Sequence, residues 1–340
     1  MTTKKDIESA LMRGADTLRD TIDAANYKDY VLPVMFVKYL SDSYTDAVEE
    51  LSKQYSGIRL ERQKKYLPFM VAEGCSFYDL YQQRFADNIG QLMNAAMRQI
   101  EADNNQQLAG VLSAVDYNSE NALGTREHKN AILRDLLEDF EPLDLRPSAI
   151  EVKEGQVPAD VIGDAYEYMI GQFASMAGKK AGSFYTPAAV SEIMARIVDV
   201  QPGERVYDPT CGSGSLLIKA AKKQNSKEVS IYGQEVNGSS VAMAKMNMYI
   251  HEIRDAKIGW GDTLANPVFL DADGNLLLFD AIVANMPFSK DKWASGFNPG
   301  GESSGKGKKE FKMEASLDKF HRFDWGVPPA SKGDWAFLLH

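Results

Sequence analysis

A glycine-bearing turn is the stretch of this sequence best suited to hold a ligand. The apolar residues Val206 and Tyr207 lead into residues 208–214, Asp-Pro-Thr-Cys-Gly-Ser-Gly, and a helix-like apolar segment follows. Glycine lets the backbone approach a ligand without a Cβ in the way, and the N–H groups of such a turn and of the helix after it can bind an anionic or polar group. At the end of the first strand of a doubly wound α/β sheet, this glycine turn (residues 208–214) predicts a nucleotide-like cofactor site.

Acidic side chains follow two later strand-like segments. Glu235 lies 21 residues after Gly214, where a doubly wound fold places the acidic residue that accepts hydrogen bonds from ribose hydroxyls. Asp262 ends the next segment, and its carboxylate could accept from the exocyclic amine of a bound adenine. The alternatives are structural, with Glu235 as a surface side chain at a strand end and Asp262 as the cap of a turn.

The Asn285 tetrapeptide (residues 285–288, Asn-Met-Pro-Phe) ends a further strand-like segment, about 70 residues after the glycine turn. Its residue types are suited to bind an amine or amide nitrogen whose lone pair is delocalised. The side-chain oxygen of Asn285 and the backbone carbonyl of Met286 can accept the two N–H groups of such a nitrogen. Pro287 restricts the backbone that aims this carbonyl, and Phe288 offers a face for stacking. We predict group transfer to this nitrogen, promoted by positioning and electrostatics.

Other kinds of chemistry are disfavoured by the sequence. The four histidines have no metal-ligand spacing, so we expect no metal site. Ser213 does not lie in the G-x-S-x-G sequence of a nucleophile elbow, and the glycine turn lacks the Walker A lysine. Cys211 is expected to be a small turn residue and not a nucleophile.

The segments that carry these residues predict an α/β fold. From about residue 203, strand-like runs alternate with helix-like runs, a pattern typical of a parallel sheet covered on both faces. Strands are predicted at residues 204–208, 228–233, 256–260 and 278–284. The predicted architecture is a doubly wound, Rossmann-like sheet whose carboxyl edge carries the candidate residues.

The first part of the chain predicts an all-α domain. Apolar residues recur at three- and four-residue steps between about residues 6 and 140, with a first helix expected over 7–22 and further helices near 28–50, 86–101 and 127–139. We therefore predict a helical N-terminal domain over residues 1–150, which contacts a partner or DNA, and an α/β domain over 151–340. Because four strands are recognisable, we expect this domain to lack its C-terminal strands.

Charge and composition limit the function classes. The chain has 340 residues and a net charge of −10, which disfavours a stand-alone, high-affinity nucleic-acid binder. No apolar run approaches the about 18 residues of a spanning helix, and the first residues lack the apolar core of a signal peptide. We expect a cytoplasmic protein without membrane association. Residues 290–310 are basic and rich in Gly and Ser, which fits a solvated loop or a segment that orders against DNA or a partner.

Three motifs resemble those of S-adenosylmethionine-dependent amino-methyltransferases. They are the glycine turn, the Asn285 tetrapeptide, which is similar to the N-P-P-[FY] motif, and residues 182–187, Gly-Ser-Phe-Tyr-Thr-Pro. The helical start, including residues 30–42, is similar to the N-terminal domain of the methylation subunit of type I restriction–modification enzymes, a family of DNA adenine-N6 methyltransferases. This resemblance spans nearly the whole chain.

The resemblance implies S-adenosylmethionine as cofactor and, as substrate, an adenine flipped out of duplex DNA. It implies that the adenine is engaged by Asn285, Met286, Pro287 and Phe288. The cofactor-binding residues that it implies are Ser183, Phe184, Tyr185, Thr186, Pro187, Asp208, Thr210, Gly212, Ser213, Gly214, Glu235 and Asp262. In this assignment Asp208 steers the amino-acid part of the cofactor, Glu235 holds its ribose and Asp262 holds its adenine.

The resemblance also implies partners. A specificity subunit reads the DNA sequence, a restriction subunit translocates and cleaves DNA, and a second copy of the modification subunit completes the complex through which DNA is bound. Two other functions stay open, namely methylation of a protein glutamine amide and a catalytically silent, cofactor-binding scaffold. The family usually has proline where this chain has Met286, so we expect retained activity with a less rigid site.

Overall fold

The structure is a computed structural model that describes residues 1–178, 185–222, 228–288, 290–298 and 311–340. The chain divides into two compact units, Met1–Ala181 with Lys245–Arg254, and Gly182–Ala244 with Asp255–His340. The first is helical and the second is α/β, in the predicted order. The helical unit continues past residue 150, because the helix Pro158–Ala177 packs against the first helix of the chain.

The helical unit is built from helices of very different length. In chain order they are α1 (Lys4–Thr17), α2 (Tyr27–Ser52), α3 (Gly57–Lys64), α4 (Phe77–Gln82), α5 (Ile89–Asp103), α6 (Asn105–Leu108), α7 (Glu120–Leu123), α8 (Arg126–Phe140) and α9 (Pro158–Ala177). The helices α2, α5 and α8 confirm those predicted near 28–50, 86–101 and 127–139. The short helices α3, α4, α6 and α7 were not predicted, since one or two turns offer too few periodic positions. Within the described ranges, no helix combines the length and apolarity needed to cross a membrane.

Local signals explain where two of these helices begin. Thr3 caps α1 and forms a capping box with Asp6, in which each side chain accepts a backbone N–H of the other residue. Pro158 is the first residue of α9, a position where its missing N–H costs no helical hydrogen bond.

A buried ion pair joins several segments of the helical unit. Lys38 and Asp42 are both fully buried on α2, with 2.7 Å between Nζ and Oδ2. The hydroxyl of Tyr78 on α4 donates to Asp42 over 2.6 Å, and the backbone N–H of Leu145 donates to it over 2.7 Å. A buried charge is tolerated when it is paired and hydrogen-bonded, so this network fixes α4 and the segment after α8 against α2.

The α/β unit contains a four-stranded sheet with its helices. The elements are α10 (Ala188–Val198), β1 (Arg205–Asp208), α11 (Ser215–Lys222), β2 (Ser230–Glu235), α12 (Gly238–Ile250), β3 (Lys257–Trp260), β4 (Ala281–Ile282) and α13 (Gly333–Leu339). The helix α12 starts in this unit, and its residues from Lys245 onward belong to the helical unit. The sheet order is β3-β2-β1-β4 and every pair is parallel, which confirms the predicted fold class.

The fourth strand is shorter than predicted. Residues 278–284 were expected to be extended, but the ladder to β1 contains only the pairs Val206–Ala281 and Tyr207–Ile282. The ring of Phe279 stacks on the ring of Tyr207, with 4.4 Å between centroids. Phe279, which lies before β4, therefore packs against β1 through its side chain. The chain order reverses between β1 and β4, and a doubly wound sheet opens a crevice at such a point.

Candidate functional site

The glycine turn leaves β1 through a tight backbone conformation. Gly212 has φ of 52° and Gly214 has φ of 76°, values that residues with a Cβ adopt only at a cost. The N–H of Gly214 donates to the carbonyl of Cys211 over 2.7 Å, and the carbonyl of Gly214 accepts from Ile218 in the first turn of α11. The two glycines thus allow the direct passage from strand to helix that the sequence predicted.

Two buried carboxylates support this turn. Asp208 accepts the N–H of Thr210 over 2.9 Å. One oxygen of Glu235 accepts the N–H of Gly212 over 3.0 Å, and the other accepts the N–H of Asn237 over 2.8 Å. Burial raises the pKa of Asp208 to about 7, with the negative charge of Glu235 acting in the same direction. Burial also raises the pKa of Glu235, against the hydrogen bonds that it accepts.

Asp262 lies in a loop after β3, and hydrogen bonds to β2 and to the turn after β1 hold this loop in place. The side chain of Gln234 is fully buried; it donates to the carbonyl of Asn266 over 2.9 Å and accepts the N–H of Val268 over 3.1 Å. The hydroxyl of Thr263 donates to the carbonyl of Pro209 over 2.6 Å. These bonds fix the Asp262 loop (residues 261–268) beside the glycine turn.

Asp262 has a structural role as well as a place in the site. Its Oδ1 accepts the N–H groups of Leu264, at 2.9 Å, and of Ala265, at 3.2 Å. Oδ1 of Asp262 therefore caps a turn, which is the structural alternative given for this residue. The same side chain lines the cavity described below.

The Asn285 tetrapeptide follows β4, which pairs directly with β1. The amide nitrogen of Asn285 donates to the hydroxyl of Thr186 over 3.3 Å. Met286 packs against an apolar cluster that includes Trp293 and Phe323, so its side chain anchors the segment. The ring of Phe288 is 79% exposed, which leaves its faces accessible for stacking.

These segments border one cavity of about 380 Å³ within the α/β unit. The predicted site residues that line it are Tyr185, Thr186, Asp208, Thr210, Gly212, Ser213, Glu235, Asp262, Asn285 and Pro287. Four other predicted residues lie beside these in the chain without lining the cavity, namely Pro187, Gly214, Met286 and Phe288. Ser183 and Phe184 lie outside the described residues.

The cavity also contains residues that the sequence analysis missed. They include Asn237, Thr263, Lys290 and Phe337. Cys211 also lines the cavity as part of the glycine turn, and burial raises the pKa of its thiol well above the usual range. Lys290 follows the Asn285 tetrapeptide closely, and this proximity in sequence was the available signal for it. Phe337 lies on α13, and no local pattern connected that helix with the glycine turn.

The chemistry of the cavity follows from its charges. Asp208, Glu235 and Asp262 contribute carboxylates, and Lys290 contributes an ammonium group. This set suits a ligand with several hydrogen-bond donors and a positive charge. In the described residues, no group of three or more His, Cys, Asp or Glu side chains is arranged to hold a metal ion. The site therefore offers hydrogen bonds and electrostatics to a polar ligand.

Family models match both parts of the chain. The model for N-6 DNA methylase matches residues 157–340, and the model for the HsdM N-terminal domain matches residues 7–140. A type I restriction enzyme methylase subunit from Methanocaldococcus jannaschii is 29% identical over 96% of this chain and 53% of its own length. One from Mycoplasma pneumoniae is 29% identical over 98% of this chain and 64% of its own length. The chain thus spans about half to two thirds of these relatives.

A solved structure gives the same result. The type I restriction-modification system methyltransferase subunit from Streptococcus thermophilus aligns with the whole of this chain and 71% of its own, with a TM-score of 0.73 and 29% sequence identity. The N-6 DNA methylase match alone covers more than half of the 340 residues, and it includes the glycine turn, the Asp262 loop and the Asn285 tetrapeptide. The chain therefore belongs to the N-6 DNA methylase family.

Proposed function

We propose that this chain transfers a methyl group from S-adenosylmethionine to N6 of adenine in duplex DNA, as the modification subunit of a type I restriction–modification complex. The observation that carries the proposal is the shared cavity: the glycine turn after β1 and Asn285 after β4 line the same space. In a chain of the N-6 DNA methylase family, this arrangement brings a cofactor site next to an acceptor for an exocyclic amine.

The residues of the cavity fit S-adenosylmethionine. A volume of about 380 Å³ lies in the range of small-molecule pockets. When bound, the cofactor supplies a methyl group on a positively charged sulfur, and the three cavity carboxylates favour that charge. Each oxygen of Glu235 keeps lone-pair capacity beyond its one backbone bond, enough to accept from ribose hydroxyls. Asp262 offers its second oxygen to the adenine amine, and Asp208 offers a carboxylate to the amino-acid part.

The Asn285 tetrapeptide receives the target base. The bond from the amide nitrogen of Asn285 to Thr186 fixes the amide plane, so the carbonyl oxygen on the other branch faces a defined direction. This oxygen and the backbone carbonyl of Met286 accept the two hydrogens of the adenine amine, while the exposed ring of Phe288 stacks on the base. The base must leave the DNA stack to reach them.

The proposed function also implies partner subunits. The names of the relatives describe methylase subunits of type I restriction enzymes, and the net charge of −10 suits a chain that contacts DNA through a complex. We infer that a specificity subunit, a restriction subunit and a second copy of this chain complete the assembly in the cytoplasm. Within it, the helical N-terminal part serves contacts with a partner or DNA.

The test is transfer of labelled methyl from S-adenosylmethionine to duplex DNA, with the specificity subunit of the same system present. The proposal expects label in N6-methyladenine. Label in protein glutamine with none in adenine would establish the glutamine alternative. Asn285→Ala is expected to abolish transfer while cofactor binding persists, and Asn105→Ala, at an exposed position of α6, is the matched control. A chain that binds the cofactor but transfers no label even without substitution would be a scaffold.

A further inference from the structure

Lys290 occupies a distinctive place in the cavity. It lies five residues after Asn285, is half-buried, and lines the cavity together with Asp208, Glu235 and Asp262. Among the described residues that line this space, it is the one with a positively charged side chain. Among the described residues, the cavity therefore combines one cationic side chain with three carboxylates.

The backbone and stem of Lys290 are held by α13. The N–H of Gly333 donates to the carbonyl of Lys290 over 3.3 Å. A Cβ at Gly333 would lie 2.9 Å from the Cβ of Lys290, so glycine is what allows the helix to approach this closely. Further along α13, the ring centroid of Phe337 lies 6.0 Å from Nζ of Lys290, and Phe337 also borders the cavity. The lysine is thus part of a packed wall.

The ammonium group acts electrostatically on the site. Burial raises the pKa of Glu235, and the positive charge of Lys290 acts in the opposite direction, so the charge is felt inside the cavity. Among the described residues, no carboxylate lies within ion-pair distance of Nζ of Lys290. A cation placed in this way calls for an anionic group on the ligand.

S-adenosylmethionine has one such group. Its adenine and ribose are neutral, its sulfur and its amino group are cationic, and its α-carboxylate is anionic. The three carboxylates of the cavity would repel that carboxylate, so its placement requires a compensating charge. We propose that Lys290 binds the α-carboxylate of the cofactor and makes the site selective for an intact amino-acid tail. This inference rests on the proposed function and assigns one further contact in the same site.

The experiment compares two ligands that differ in the carboxylate alone. Binding of S-adenosylmethionine and of its decarboxylated analogue to the 340-residue chain is measured by titration calorimetry, without DNA. Lys290→Gln should lower the affinity for S-adenosylmethionine by about tenfold or more, as expected for the loss of a charge-assisted hydrogen bond. It should change the affinity for the decarboxylated analogue by less than about twofold. Lys290→Arg keeps the charge and should retain most of the affinity for S-adenosylmethionine.

The control is Lys292→Gln, at an exposed lysine outside the cavity lining, which should leave both affinities unchanged. Equal losses for the two ligands, or no loss for S-adenosylmethionine, would overturn the assignment. A Lys290→Gln variant that binds S-adenosylmethionine normally but binds DNA more weakly in the complex would assign the charge to a phosphate instead, and would also overturn it. If the unsubstituted chain binds neither ligand, the proposed function itself fails, and the inference fails with it.

Discussion

Glu235, the last residue of β2, accepts a hydrogen bond of 3.0 Å from the backbone N–H of Gly212 in the turn after β1. The other oxygen of the same carboxylate accepts the N–H of Asn237 over 2.8 Å. The side chain that is proposed to hold ribose therefore also fixes the glycine turn and the start of the segment leading to α12. Formation of the turn and the proposed binding of ribose therefore involve the same carboxylate.

Glu235→Gln should weaken the binding of S-adenosylmethionine by at least about tenfold, because hydrogen bonds to a charged acceptor contribute roughly 1.5–3 kcal/mol. The amide places an NH₂ group where an acceptor oxygen is needed, so either Gly212 or Asn237 loses its partner. Titration calorimetry with the 340-residue chain measures the effect. Glu228→Gln, at an exposed position, is the control, and equal affinities for the two variants would contradict the assignment of Glu235.

Thr186→Val should lower the rate of methyl transfer more than it lowers cofactor affinity. Valine has the shape of threonine but cannot accept from the amide of Asn285, a bond of 3.3 Å, so the amide can rotate away from the orientation that the base requires. We expect the rate constant of methyl transfer to fall by about tenfold, since misplacement of a positioning group is costly. The measurement is single-turnover methylation of DNA with the specificity subunit present.

Thr186→Ser is the matched variant for this experiment, because it keeps the hydroxyl. It should retain most of the rate. If the serine and valine variants are equally slow, the hydroxyl of Thr186 has no role in orienting Asn285.

Asp208→Asn should make the stability of the α/β unit less dependent on pH. Burial raises the pKa of Asp208 from its ordinary value of 3.8 to about 7, so between these values the folded state binds the proton more tightly than the unfolded state. The contribution of Asp208 to stability is then greatest below about pH 4 and is lost as pH rises to about 7. The full loss is on the order of a few kcal/mol, since each pKa unit corresponds to about 1.4 kcal/mol.

Asparagine keeps an oxygen to accept the N–H of Thr210 and carries no charge at any pH. The variant should therefore match the unsubstituted chain near pH 4 and exceed it in free energy of unfolding at pH 8, without cofactor. Urea unfolding at several pH values measures both. A difference between the two chains that grows as pH falls would have the opposite sign and would refute the burial argument.

Gln234→Leu should loosen the Asp262 loop. Leucine is similar in size but cannot satisfy the carbonyl of Asn266 or the N–H of Val268, which Gln234 bonds over 2.9 and 3.1 Å. Leaving buried polar groups without partners costs about 1–3 kcal/mol each, so we expect lower stability and weaker cofactor binding together. Gln99→Leu, on an exposed face of α5, is the control, and an unchanged cofactor affinity in Gln234→Leu would show that the loop does not hold the ligand.

The sequence by itself determined the fold class and the chemical character of the two main segments. The alternation of strand-like and helix-like runs predicted a parallel sheet, and the glycines at positions 212 and 214 predicted the turn, because both signals are local in the sequence. The acceptor chemistry of the Asn285 tetrapeptide was also readable from its residue types. The short β4 was not, since its two-residue ladder depends on the register with β1.

Only the tertiary structure decided which groups share the cavity and how they are held. The placement of Lys290 and Phe337 requires the packing of α13 against the segment after β4. The hydrogen bonds of Gln234 to the Asp262 loop require that loop to fold back over β2. These contacts join residues far apart in the chain, whereas hydrophobic periodicity reports only which face of one element is buried. Their geometry follows from strand order and close packing of the whole unit, and no local pattern of residues encodes either.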